Sequence, residues 1–137
     1  MCAIDLEIAI DARAELGEGV TWDPAARRLI WVDIMRGRVH VFDPPSGACR
    51  TFPVGQPVGA AVPRAAGGLV LAVGDGFARL DLATGRVDPI ARVDAQDPPR
   101  RMNDGACDAM GRFWAGTMAL DERPGAGARY RLDPAGR

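Results

Sequence analysis

Two short stretches carry side chains whose types and spacing could do chemistry. Glu18 sits in L-G-E-G-V-T-W-D at 16–23, a carboxylate between Gly17 and Gly19. Arg101 and Asn103 sit in P-P-R-R-M-N-D-G at 98–105. A carboxylate oxygen ligates hard cations, while a guanidinium and a carboxamide give directed hydrogen bonds to hydroxyls or a carbonyl. Each also has a plain reading: Glu18 as a solvated turn carboxylate, and Asn-Asp-Gly as an ordinary hairpin turn. Asp121 and Glu122 lie on a Pro- and Gly-bearing stretch able to fold over such a site, or to be solvated loop acids. Asp33, Asp75 and Thr117 follow apolar runs and could approach a pocket mouth, though nothing singles them out.

Other chemistries find little support. His40 is the only histidine and alternates with Val39 and Val41, which reads as an outward-facing strand residue and not as a triad member. Cys2, Cys49 and Cys107 are odd in number and widely spaced, so they form neither a disulfide framework nor a zinc knuckle. Cys107 is expected to be a small buried hydrophobe in a strand. The 137 residues are 47% apolar and 26% charged, with a net charge of −1, the balance of a folded domain. All 17 basic residues are Arg, interspersed with the acids, so there is no basic stripe to bind nucleic acid or an anionic membrane. No run approaches the roughly 18 apolar residues of a membrane span, and acids interrupt the N-terminal hydrophobics. A cytoplasmic location is the expectation.

The elements that must position these residues are strands. Three runs look alike: 23–33 (D-P-A-A-R-R-L-I-W-V-D), 67–75 (G-G-L-V-L-A-V-G-D) and 108–117 (D-A-M-G-R-F-W-A-G-T). Each begins with a tight turn and continues as an apolar strand, in which Trp31, Leu71 and Trp114 are expected to hold similar places. A second strand follows each, at 38–47, 77–85 and 129–136, and ends in an Asp-led turn closed by Gly. Asp23, Asp108 and Asp133 thus read as structural turn openers. A repeat of about 40–50 residues built from short strands and hairpins is that of a propeller blade. A small β-sandwich is the other candidate, but it gives no reason for the repeat.

The repeat also relates the chemical residues to one another. Glu18 and Asn103 each stand five residues ahead of an Asp-led turn, at Asp23 and Asp108. Equivalent positions on successive blades converge on one axial pocket, with Glu18 at the start of the strand beginning at Val20. The final D-P-A-G-R at 133–137 has no strand after it. The expectation is a single unit, 1–137, that stops on a hairpin turn and covers the first two to three blades of a propeller.

On these residues the chain resembles the regucalcin (senescence marker protein), gluconolactonase and luciferin-regenerating enzyme family. The matching elements are L-G-E-G-x-x-W at 16–22, W-V-D-I at 31–34, and N-D-G-x-x-D-x-x-G-R-x-W-x-G-T-M at 103–118. The resemblance implies an all-β, six-bladed propeller with one divalent cation on its axis: Ca2+ first, with Zn2+, Mg2+ or Mn2+ as alternatives. It implies Glu18 as a metal ligand and Arg101, Asn103 and Asp121 as substrate-contacting residues. The other ligands, an Asn and an Asp that also serves as general base, would lie beyond residue 137. The implied activity is hydrolysis of a sugar lactone, incomplete within these residues, with the C-terminal half or a second copy as partner. A calcium-binding regulatory propeller without catalysis, or a related organophosphate-cleaving hydrolase, are the alternatives.

Overall fold

The computed structural model describes residues 4–93 and 99–135, so Cys2 and the end of the last turn lie outside the described residues. Among the described residues eleven strands form three antiparallel sheets. The first sheet runs β1 (Gly17–Asp23), β2 (Arg28–Asp33), β3 (Arg38–Asp43) and β4 (Ala48–Pro53) in that order. The second runs β5 (Val58–Pro63), β6 (Leu69–Val73), β7 (Gly76–Leu80) and β8 (Val87–Arg92). The third holds β9 (Arg100–Cys107), β10 (Phe113–Ala119) and β11 (Arg129–Leu132). These are two complete propeller blades and a third with three strands. Among the described residues no helix is long and apolar enough to cross a membrane.

Strand alternation gives each sheet an apolar face toward its neighbour. Ile30, Val32 and Val39 of the first sheet pack on Leu69, Leu71 and Leu80 of the second. On its other face the second sheet presents Ala60, Val62 and Phe77 to Met102, Phe113 and Leu132 of the third. Phe77 and Phe113 meet edge to face, with ring centroids 5.6 Å apart. Each fully buried Leu or Ile contributes about 1.5–3 kcal/mol by leaving water.

The turns follow the predicted chemistry, with one variation. Asp23 accepts from the Ala26 N–H and from Arg28 Nε (3.0 Å). Asp108 accepts from the Met110 and Arg112 N–H groups, from Arg112 Nε, and from Trp114 Nε1 at 2.8 Å. The Trp114 bond foremost holds the Asp108 carboxyl well below the usual carboxylate range. In the middle copy Arg64 stands where the other two have Asp, and Gly67 and Gly68, both with positive φ, make the turn.

Two expectations are corrected. Trp114 does not hold Trp31's place. Ile30 faces the second sheet, so its neighbour Trp31 faces away, where it stacks on His40. Phe113 and Ala115 face the second sheet from the other side, so Trp114 faces onward along the blade series. The apolar runs align one residue differently from what their tryptophans imply. Cys107 is in a strand but exposed. It pairs with buried Phe113, yet it sits at the open end of the cleft between the second and third sheets, beside Pro63 and Pro134.

Asp33 is buried and holds the lead-in to β1. Its carboxylate accepts the N–H groups of Glu15 (3.0 Å) and Leu16 (3.1 Å), while Ile34 N–H donates back to Leu16 O. Burial pushes its pKa up, but the backbone N–H groups of Glu15, Leu16 and Arg36 and the Arg36 charge outweigh burial and bring it below the ordinary value. Its stabilisation is therefore complete above the unfolded-state pKa, near 3.9, and fades as pH falls through the lower folded-state value. Asp33→Asn should cost about 1.5–3 kcal/mol at pH 7, the worth of hydrogen bonds to a charged acceptor. Urea midpoints of the two proteins should converge as pH falls through the lowered folded-state value; a gap that persists unchanged in acid would exclude this role.

Candidate functional site

The innermost strands β1, β5 and β9 each carry a β-bulge, and the bulges lie side by side. On β9, Met102 pairs with Thr117 and Asp104 with Gly116, so Asn103 is the extra residue. On β5, Val58 pairs with Val73 and Ala60 with Ala72, so Gly59 is the extra residue. On β1 the register slips between Glu18 and Thr21. Counted back from the turn openers Asp23, Arg64 and Asp108, the same place falls on Glu18, Gly59 and Asn103. Bulges bend a strand and re-aim its side chains, which is how a regular ladder yields an outward-turned residue beside a buried one. Met102 is fully buried while Asn103 is exposed.

This row sharpens the sequence reading. Glu18 and Asn103 do share a place on their blades, but both lie inside strands and not before them: β1 begins at Gly17 and β9 at Arg100. Gly59, in the same place on the blade between them, escaped notice because it has no side chain to suggest chemistry. The sequence signal that finds it is its position five residues before Arg64.

Arg101 and Asn103 are brought together directly. Arg101 Nη1 donates to Asn103 Oδ1 at 2.9 Å and to Met102 O at 3.2 Å. The guanidinium is buried, which lowers its pKa, an effect the Glu122 charge partly offsets. With Oδ1 occupied, Asn103 is left with its two amide N–H donors. That suits it to hold a hydroxyl or carbonyl oxygen of a ligand more than a cation. Asn103 also lines a concavity of about 430 Å3 with Asp104, Trp114, Thr117 and Arg129.

Asp121 does not join this pair. Its carboxylate accepts from the N–H and the guanidinium of Arg123, which hold its pKa below the ordinary value. The acid whose charge reaches Arg101 is the next residue, Glu122, which has a positive φ of 60°. Of the remaining loop-facing residues, Asp75 lies near Arg92 and Thr117 bonds both ways with Ala128.

The donor set fits an oxygen-seeking cation in kind and not in number. Glu18 offers an exposed carboxylate, but a calcium ion takes about 6–8 oxygens. Among the described residues no group of three His, Cys, Asp or Glu side chains could hold a metal ion. Arg101 and Asn103 can bind and orient an oxygen-rich ligand without one.

Residues 16–137 match the family model described as SMP-30/Gluconolactonase/LRE-like region. The chain is 36% identical over 124 residues to regucalcin of Xenopus laevis, covering 90% of this chain and 42% of that protein. It is 39% identical over 134 residues to the pentonolactonase XacC of Haloferax volcanii, covering 93% of this chain and 42% of that one. Among solved structures it superposes on a calcium-binding protein, regucalcin, from Agrobacterium tumefaciens. The TM-score is 0.85 at 29% identity, covering 91% of this chain and 42% of that chain. The chain thus spans somewhat less than half the length of these relatives.

The Arg101–Asn103 bond can be tested without any ligand. Asn103→Leu removes an acceptor from a buried guanidinium and should cost about 1–3 kcal/mol in urea unfolding at pH 7. Asn103→Asp supplies a charged acceptor instead and should cost nothing at pH 7. Its advantage over the Leu variant should fade below about pH 4, as the new carboxylate is protonated. Equal stability of all three proteins would mean that the bond contributes nothing.

Proposed function

The chain belongs to the SMP-30/gluconolactonase/LRE-like family, and from that premise we propose that it forms part of a sugar-lactone hydrolase pocket. The observation that carries the reading is the bulge row, which sets Glu18 on one side of Gly59 and the Arg101–Asn103 pair on the other. A relative named as a pentonolactonase supports the substrate class.

In this reading Arg101 and Asn103 bind the lactone. Asn103, its Oδ1 held by Arg101, turns its amide N–H donors to a ring hydroxyl or the carbonyl oxygen. The guanidinium, fixed by two neutral oxygens, keeps the pair in one geometry and adds positive charge where the carbonyl oxygen becomes negative during attack. Glu18 is proposed as one oxygen ligand of a divalent cation: calcium, or magnesium, manganese or zinc. The other oxygens and the carboxylate that activates water are proposed to come from outside these 137 residues, from further chain or from a second copy. Asp121, which forms an exposed ion pair with Arg123, is proposed as a further substrate contact from the loop.

A second reading is favoured by one observation: the superposed Agrobacterium tumefaciens protein is described as calcium-binding. A binding propeller would take up the cation and turn over no lactone.

Acid release from glucono-1,5-lactone and from pentonolactones by the chain assembled with the further residues proposed above, followed with and without added divalent cations, separates the two readings. Lactonase action predicts metal-dependent turnover, lost in Glu18→Gln together with metal affinity. Arg101→Lys should raise KM about tenfold or more, since the ammonium cannot reproduce a fixed guanidinium bond. Calcium uptake with no acid release would establish the binding protein. Full activity and metal affinity in Glu18→Gln would overturn the site.

A further inference from the structure

Gly59 occupies the pocket position of its blade with no side chain. Its backbone is not in the left-handed region, so conformational freedom is not what requires glycine there. Space is. A Cβ at Gly59 would stand 2.7 Å from both C and O of Met102 and 2.8 Å from C of Asn103. Real side chains essentially never approach backbone so closely, and peptide carbonyls cannot rotate away as a flexible side chain can. On its other side the constraint is loose: a Cβ on Gly19 would meet Gly59 O at an ordinary 3.7 Å. The two contacts of β5 therefore differ. Toward β9 it is packed backbone to backbone; toward β1 it has room.

We propose that Gly59 is a positioning residue for the pocket. By carrying no side chain it lets β9 close on β5, and so sets where Arg101 and Asn103 stand relative to Glu18. The contact falls on Met102 and Asn103 themselves, the residues whose oxygens hold the Arg101 guanidinium. A methyl group here pushes directly on that bonded unit. The positioning role does not rest on the lactone-hydrolase reading.

Gly59→Ala tests it against a role in packing alone. Both proteins are compared in trimethylamine N-oxide, which favours the folded state, so that lost stability does not deplete the folded population. The proposal expects the Asn103 side-chain amide and Arg101 Nε–H resonances to move in nitrogen–proton NMR spectra, while the Gly17 and Gly19 amides beside Glu18 stay in place. In turnover, the lactone KM should rise at least tenfold while the metal Kd changes less than twofold. A variant that is less stable, yet shows Asn103 and Arg101 resonances and KM like those of the wild type, would overturn the proposal. Equal displacement of the Gly17 and Gly19 amides would also overturn it, because the push would not be directed at β9. If the wild type turns over no lactone, the function proposed above fails, and the NMR comparison alone decides the role of Gly59.

Discussion

Everything in this molecule depends on the middle sheet having two apolar faces and being able to cover neither of them by itself. A lone twisted sheet of four short strands buries too little to be stable. Leu69, Leu71 and Leu80 are dry because the first sheet lies on them, and Ala60, Val62 and Phe77 are dry because the third does. The middle sheet is thus the keystone. Its innermost strand β5, buried along almost its whole length, touches the innermost strands of both neighbours. The pocket row is a by-product of that stacking. Three equivalent strands brought edge to edge must also bring their equivalent residues together.

How much of this was legible in the sequence can be judged residue by residue. The hairpins, the three-fold repeat and the turn openers Asp23 and Asp108 were readable because turn chemistry is local: a carboxylate caps the N–H groups within a few positions of itself. The equivalence of Glu18 and Asn103 was readable because it is counted from those turns. The strand limits were not. A bulge adds one residue without any compositional mark, so strands that run through Glu18 and Asn103 looked as though they began after them. The tryptophans misled for a related reason. Size drew the alignment, whereas facing direction is fixed by alternation, which places Ala115 and not Trp114 opposite Trp31 in the series. Cys107 was misplaced because burial depends on the depth of a cleft, which no pattern along the chain records.

The acids show a division of labour that the sequence reveals only in part, for Asp108 and not for Asp33. Asp33, Asp108 and Asp121 are all carboxylates beside apolar strands, and all three are committed to donors supplied by the protein. Asp33 ties down the chain before β1, Asp108 braces a hairpin, and Asp121 grips the arginine two residues on. Glu18, by contrast, projects exposed from a strand end. What separates the candidate ligand from the structural acids is the set of N–H groups within reach, local in sequence for Asp108 and Asp121 and distant for Asp33.

The bulges have a consequence for how such a protein can change. In a strict two-residue alternation, turning one side chain from core to pocket inverts every other residue of the strand. An extra residue at the bend breaks that coupling. The hairpin end of each innermost strand keeps its own inside and outside, and the axial end keeps another. The blades that carry Glu18 and Asn103 can therefore exchange their pocket residue without recasting the core, whereas the blade between them is held to glycine by the backbone of β9.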